Sequence, residues 1–163
     1  MTLETLTQTI LIGTGATAIM DVWLLVLKKA GVPIQPFGLL GRWIGHWRDG
    51  QWCHASIAKA APVTGEVWLG WSAHYAIGVG FAGLLVLAFG SEWIASPSLG
   101  PAMLLGVFTV AAPLLVMQPA LGAGIASTKT NAPLRNSLKS LANHSVFGIG
   151  LYLAAMAIAA IGA

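Results

Sequence analysis

The chain has 163 residues, 56 % of them hydrophobic and 8 % charged, with a mean hydropathy of +0.79 and a formal net charge of +3. Soluble globular domains carry about 25 % charged residues, and disordered chains combine low hydrophobicity with high charge, so the composition excludes both classes. It predicts a polytopic membrane protein, a single transmembrane domain over residues 1–163, and the lone Cys53 excludes an intramolecular disulfide or a cysteine-based zinc site within one chain.

Taken in chain order, four segments are long and apolar enough to cross a bilayer of about 30 Å, which takes about 20 helical residues. They run over about Leu6–Leu27, Val67–Gly90, Pro101–Gln118 and Leu141–Ala163. The expected fold class is therefore an all-α bundle of four transmembrane helices. The first segment does not read as a cleavable signal peptide, because no basic residue precedes it and Glu4 occupies the position a positive charge would take.

The eight Lys and Arg residues fall in two places. Lys28, Lys29, Arg42, Arg48 and Lys59 lie between the first two spans, and Lys129, Arg135 and Lys139 between the last two. The positive-inside rule makes both loops cytoplasmic and puts both termini on the outer, periplasmic side. Topology thereby accounts for the net charge, and no nucleic-acid partner is expected.

The first loop, Lys28 to Glu66, contains Leu40, Trp43, Ile44 and Trp47 at helical spacing, with Arg42, His46 and Asp49 pointing elsewhere. This pattern predicts a short amphipathic helix in the cytoplasmic interface, with Arg42, Trp43 and Trp47 at headgroup depth. Gly38, Gly41 and Gly45 weaken it as a helix, and a lid or partner-docking segment is the functional alternative. His46, Cys53 and His54 are too few and too loosely spaced for a metal site, and none is expected. Glu66 reads as an acid at a helix N-terminus, with Thr64 as its cap.

The second and fourth spans both carry H-x-x-x-G-x-G, at His74-Gly78-Gly80 and His144-Gly148-Gly150. Both spans run the same way, so the chain also reads as two hairpins related by a parallel repeat. Gly70, Gly78, Gly80, Gly148 and Gly150 suit close helix packing, which in lipid depends on small residues. Packing explains the glycines but not the histidines.

Ionisable residues within a span are costly and are functional hypotheses by default. They are Asp21, His74 and His144, joined by the neutral Gln118. At about 1.5 Å per residue, Asp21 lies roughly 10 Å from Lys28, His74 roughly 12 Å from Glu66 and His144 roughly 7 Å from Lys139. All four are expected in the cytoplasmic half of the bundle. Thr14, Thr17 and Asp21 share a helix face, and a histidine is the natural partner for the acid. Pro113 is expected to break the third span, and Pro119, Gly122 and Gly124 to end it.

Three functions fit such a cluster. It serves as interhelical glue, or it binds a proton or small solute in a permeation site completed by further copies of the chain or a larger membrane complex. In the third, His74 and His144 are axial ligands of a b-type haem in a redox complex, with the nearby glycines making room for the macrocycle. No catalytic residue is assigned, since no H-E-x-x-H, G-x-S-x-G or P-loop motif is present, and an enzyme is not favoured. Besides possible oligomers, the partner expected is the lipid bilayer.

Five blocks carry a family likeness: Gly13-Thr-Gly-Ala-Thr-Ala-Ile-Met-Asp21-Val-Trp, Gly41-Arg-Trp-Ile-Gly-His46, Gly70-Trp-Ser-Ala-His74-Tyr-Ala-Ile-Gly78, Gln118-Pro-Ala-Leu-Gly-Ala-Gly-Ile-Ala-Ser, and His144-Ser-Val-Phe-Gly148-Ile-Gly-Leu-Tyr. In these the chain resembles the bacterial membrane-protein family called domain of unknown function 2938, and the blocks cover nearly its whole length in order. Where that family has a proline soon after the basic residue near position 129, this chain reads Lys129-Thr-Asn-Ala-Pro133. The resemblance implies a small integral protein of the bacterial inner membrane, and its blocks include Asp21, His74, Gln118 and His144. It implies no activity or cofactor.

Overall fold

The computed structural model describes residues 2–162, and every regular element among them is helical. In chain order these are α1 (Leu3–Lys29), α2 (Phe37–His46), α3 (Glu66–Phe89), α4 (Glu92–Ala95), α5 (Leu99–Thr109), α6 (Gln118–Ala120) and α7 (Pro133–Gly162). Single 3-10 turns occupy Trp47–Asp49, Ile57–Lys59 and Ile125–Ser127, and Ala112–Met117 is wound as a π-helix.

Four stretches, Leu3–Lys29, Glu66–Phe89, Leu99–Ala120 and Pro133–Ile161, are long and apolar enough to cross a membrane. Only 22 % to 28 % of the most apolar part of each is buried inside the protein, so most of the apolar surface faces outward. Trp68, Leu87 and Phe108 are 81 %, 77 % and 71 % exposed. Water would penalise such a surface, whereas lipid tails do not.

The first three spans agree with the hydropathy reading to within a few residues. The fourth helix begins at Pro133 rather than near Leu141. Proline is pre-organised for the first helical turn, and the polar Arg135, Asn136, Ser137, Lys139 and Ser140 extend the helix without adding hydropathy. Pro113 does not break the third span, contrary to expectation. It has no N–H for the carbonyl one turn back, and the chain widens its winding there, with the Gln118 N–H bonding the Pro113 carbonyl.

The described chain divides into two compact units. One comprises the described parts of Met1–Val32, Tyr75–Thr109 and Asn143–Ala163. Its α1 opens on Thr2, whose Oγ1 accepts from the Thr5 N–H at 3.1 Å, with Glu4 in the first turn and Lys28 and Lys29 in the last, each favourable to the helix dipole. Ile12, Leu85 and Leu151 are completely enclosed. Trp93 of α4 folds into the same core and donates Nε1 to the Ser98 carbonyl at 3.1 Å.

Small residues bring these helices together. A Cβ on Gly13 would stand 2.5 Å from Val79 Cα, and one on Gly78 would collide with Thr17 Oγ1. Between α5 and α7, a Cβ on Gly106 would lie 2.7 Å from Gly148 Cα, and one on Gly148 2.9 Å from the Ala102 carbonyl oxygen. A Cβ on Gly150 would lie 2.9 Å from the Ala16 carbonyl oxygen, whereas one on Gly80 would meet nothing within 4 Å. The paired H-x-x-x-G-x-G glycines thus have unequal surroundings.

The other unit comprises Pro33–His74 and Val110–Ala142. Its α2 lies backbone to backbone on the start of α3: a Cβ on Gly41 would collide with the Glu66 carbonyl oxygen, and one on Gly70 with that of Phe37. The glycines that weaken α2 as an isolated helix therefore permit its docking. Its buried residues are Leu40, Gly41 and His46. His46 is thus turned inward, against the amphipathic pattern, because a second imidazole pairs with it there.

Candidate functional site

Asp21 and His144 lie in the first unit, and His74 and Gln118 in the second. Asp21 Oδ2 accepts a hydrogen bond from Tyr75 Oη at 2.9 Å, joining α1 to α3. The sequence reading missed this phenol, one residue beyond His74. His144 Nδ1 is 2.9 Å from Thr109 Oγ1, which also donates to the Gly106 carbonyl at 2.7 Å. Since the hydroxyl proton is spent on Gly106, Nδ1 carries the proton in the His144–Thr109 bond. Trp23 Nε1 donates to Asn143 Oδ1 at 3.0 Å, a polar tie between α1 and α7.

Of the glycines expected to make room for a haem, Gly78 and Gly148, each four residues beyond one of the histidines, are filled. Gly148 faces Gly106 and Gly78 faces Thr17, while Phe37 stacks on His74 with ring centroids 4.0 Å apart. The residues beside the two histidines do not fit a macrocycle.

In the second unit the loop between α2 and α3 is organised by Arg42. Its Nε and Nη2 donate to the two Glu66 carboxylate oxygens at 2.8 and 2.7 Å. Its Nη1 reaches the Ala60 and Ile57 carbonyls at 3.1 and 3.3 Å. Glu66 also accepts from the Val63 N–H at 3.0 Å. The fork geometry of guanidinium suits this paired arrangement, and the hydrogen-bonded Glu66 carboxylate holds the Arg42 guanidinium above its ordinary range. Glu66 is thus one half of an ion pair as well as an acid at a helix start. Beside it, His46 Nδ1 and His54 Nε2 are 2.7 Å apart. His54 Nδ1 is buried with no protein partner, and a lone pair left there costs less than an N–H, so the geometry favours His54 as donor. Cys53 is exposed, and no group of three metal-ligating residues forms among the described residues. Trp43 Nε1 donates to the Trp52 carbonyl at 2.8 Å, and Trp47 packs against both rings.

Gln118 is 8 % exposed. Its Oε1 accepts from Ser127 Oγ at 3.0 Å, and its Nε2 donates to Ser140 Oγ at 3.3 Å. After it the chain turns through Gly122 and Gly124, with φ of 95° and 76°, and then through Ala126 and Ser127, with φ of 49° and 62°. Left-handed backbone costs a non-glycine residue about 1–2 kcal/mol, so this stretch persists only because its neighbours hold it. Ser137 Oγ donates to the Ala126 carbonyl, Thr130 Oγ1 to the Ser127 carbonyl, and the Lys129 N–H to the Ala123 carbonyl. The end of α6 also receives the 54–57 segment, through the His54 N–H to Ala120 and the Ile57 N–H to Leu121. Between these segments lies an open pocket of about 250 Å³, whose polar lining includes Gln35, Ser56, Gln118, Lys129 and Thr130. Sequence reading picked Gln118 alone among them. The others carry no helical periodicity, and the one usable signal was the cluster of Gly, Ser and Thr that comes after Gln118.

The elements and polar ties described define an all-helical protein with four helices able to span a membrane. The chain belongs to the family described as "Protein of unknown function (DUF2938)", which matches it over residues 10–158. No curated protein and no solved structure matches it.

Proposed function

We propose that this is a small integral protein of the bacterial inner membrane that binds a small polar solute on its cytoplasmic side. The pocket floored by Gln118 carries this reading, because it joins an intramembrane polar side chain to a loop held in strained backbone conformation. Both basic loops face the cytoplasm in this reading, both termini face the periplasm, and α2 lies in the interface with Arg42, Trp43 and Trp47 at headgroup depth. Asp21 and His144 keep the helices in register through Tyr75 and Thr109. The outward apolar surface meets lipid, and copies of the chain or other membrane subunits where it assembles.

Two measurements on the full chain test this. Exposed Cys53 is a native topology reporter: a membrane-impermeant maleimide labels it in inverted vesicles and not in intact spheroplasts. The opposite pattern overturns the orientation. For binding, the protein in neutral detergent is melted with a panel of sugar alcohols, amino acids, carboxylates, phosphate and amines. At least one raises Tm saturably, and Ser56→Trp, which fills the pocket, abolishes the rise. A panel without effect overturns solute binding.

A second reading rests on Asp21, an acid within a span with a phenol donor at 2.9 Å. There it carries a proton, and Asp21→Asn stops proton flux into liposomes holding a pH-sensitive dye.

A further inference from the structure

If the pocket floored by Gln118 binds a polar solute, as proposed, its lining narrows the chemical class of that solute. Every charged or amide residue in the polar lining carries hydrogen-bond donors: the exposed Lys129 and the amides of Gln35 and Gln118, with the hydroxyl of Ser56 beside them, while the Thr130 hydroxyl is spent on the Ser127 carbonyl. No Asp or Glu lines it. The ion pairs among the described residues are Arg42–Glu66 and Arg48–Asp49, so Lys129 has no carboxylate to neutralise it. Ser56 and Gln35 make no side-chain hydrogen bond among the described residues, and one N–H of the Gln118 amide remains after its bond to Ser140. The Gln118 amide is fixed, not free to turn, because Ser127 and Ser140 hold both its ends.

A cavity with one uncompensated cation, donors on several sides and no acid is complementary to a negative charge carried on oxygen. Its volume of about 250 Å³ matches roughly eight waters at about 30 Å³ each. That is room for a compact anion. We propose that this pocket binds a small oxyanion, a carboxylate or phosphate group, with Lys129 supplying the charge and Gln118 and Ser56 the donors. The same group is offered by a free solute and by an anionic lipid headgroup.

The test uses the purified full chain in neutral detergent, melted with potassium acetate, potassium phosphate, potassium chloride at matched ionic strength, and glycerol. Acetate or phosphate raises Tm saturably while chloride and glycerol do not. Lys129→Gln weakens the half-saturating concentration about tenfold, one charge-assisted contact's worth, and Lys139→Gln leaves it unchanged. Ser56→Ala serves as a second lining variant, should Gln118→Leu fail to fold. Phosphatidylglycerol titrated into the micelles separates the two sources: a Lys129-dependent shift from the lipid alone identifies the headgroup, and one from free anion alone identifies the solute. If a neutral or cationic solute shifts Tm and the anions do not, the oxyanion assignment is overturned while solute binding stands. If no probe acts, both fall. A response to anions that Lys129→Gln leaves intact also overturns the assignment.

Discussion

Replacing Arg42 by Met is the sharpest test of how the loop between α2 and α3 is held. The guanidinium spends three nitrogens on two carboxylate contacts at 2.7 and 2.8 Å and on carbonyls from the 57–60 segment. The side chains of Arg42 and Glu66 are 12 % and 18 % exposed. Removing one member of a fully buried pair costs about 3–5 kcal/mol, because the other charge is left unpaired. Water reaches part of Glu66 here, which discounts that cost to about 2 kcal/mol, and losing the charged contacts to the Ala60 and Ile57 carbonyls adds about 1 kcal/mol. The total of about 3 kcal/mol corresponds to a roughly hundredfold rise in local opening, at about 1.4 kcal/mol per tenfold. Hydrogen–deuterium exchange over residues 52–66 reads this directly, since protection there reports sub-global opening. Arg42→Lys keeps the charge without the fork and shows an intermediate effect. Combining Arg42→Met with Glu66→Gln recovers part of the loss, because no lone charge remains. Arg48 is the internal control, its contact with Asp49 being 3.5 Å long between largely exposed groups. If Arg42→Met exchanges no faster than Arg48→Met, the clamp does not organise the loop.

Three further outcomes are expected. Gly80→Ala is neutral or stabilises by up to about 1 kcal/mol, since a helical glycine is entropically costly and open space surrounds this one, whereas Gly106→Val separates α5 from α7 and lowers the detergent melting temperature by many degrees; equal effects would refute the close approach at Gly106. Tyr75→Phe costs about 0.6 kcal/mol, the average for an interhelical hydrogen bond in lipid, measured by unfolding in mixed micelles, and a loss of several kcal/mol would mean that Asp21 has no other support. Oxidised-minus-reduced visible spectra of protein from haem-replete cells show no sharp α and β bands, and bands that disappear in His144→Ala would overturn the argument from filled glycines.

Hydropathy located the spans because the membrane selects for apolar composition over a fixed length, and neither partner residues nor loops enter that selection. The same logic explains the late start assigned to the last helix, where Pro133 to Ser140 is helical but polar. Asp21, His144 and Gln118 were legible as costly polar groups. Their partners Tyr75, Thr109, Ser127 and Ser140 were not, since a hydroxyl in a span costs little and gives no signal until a partner is in reach. The Arg42–Glu66 pair was illegible for another reason. Its members are 24 positions apart, across a loop with no period, so nothing local joins them. His46 was placed on the wrong side of α2 because polarity was taken as exposure, and His54 supplies the pairing that makes its burial affordable.

The π-helical winding over Ala112–Met117 has a consequence for insertions and deletions. A π turn takes up one residue more than an α turn, so every side chain beyond it is turned about 100° from where uninterrupted α winding would put it. Gln118, the next residue, meets Ser127 and Ser140 in that rotated frame. Pro113→Ala with the residue count kept would let ordinary winding resume and carry the Gln118 amide about 100° off both serines, whereas removing one residue along with it would return the amide to its place. Residue count and winding between Ala112 and Met117 therefore set the phase of the polar pocket together: a homologous chain one residue shorter keeps it under ordinary α winding, and a chain that changes one without the other loses or relocates it.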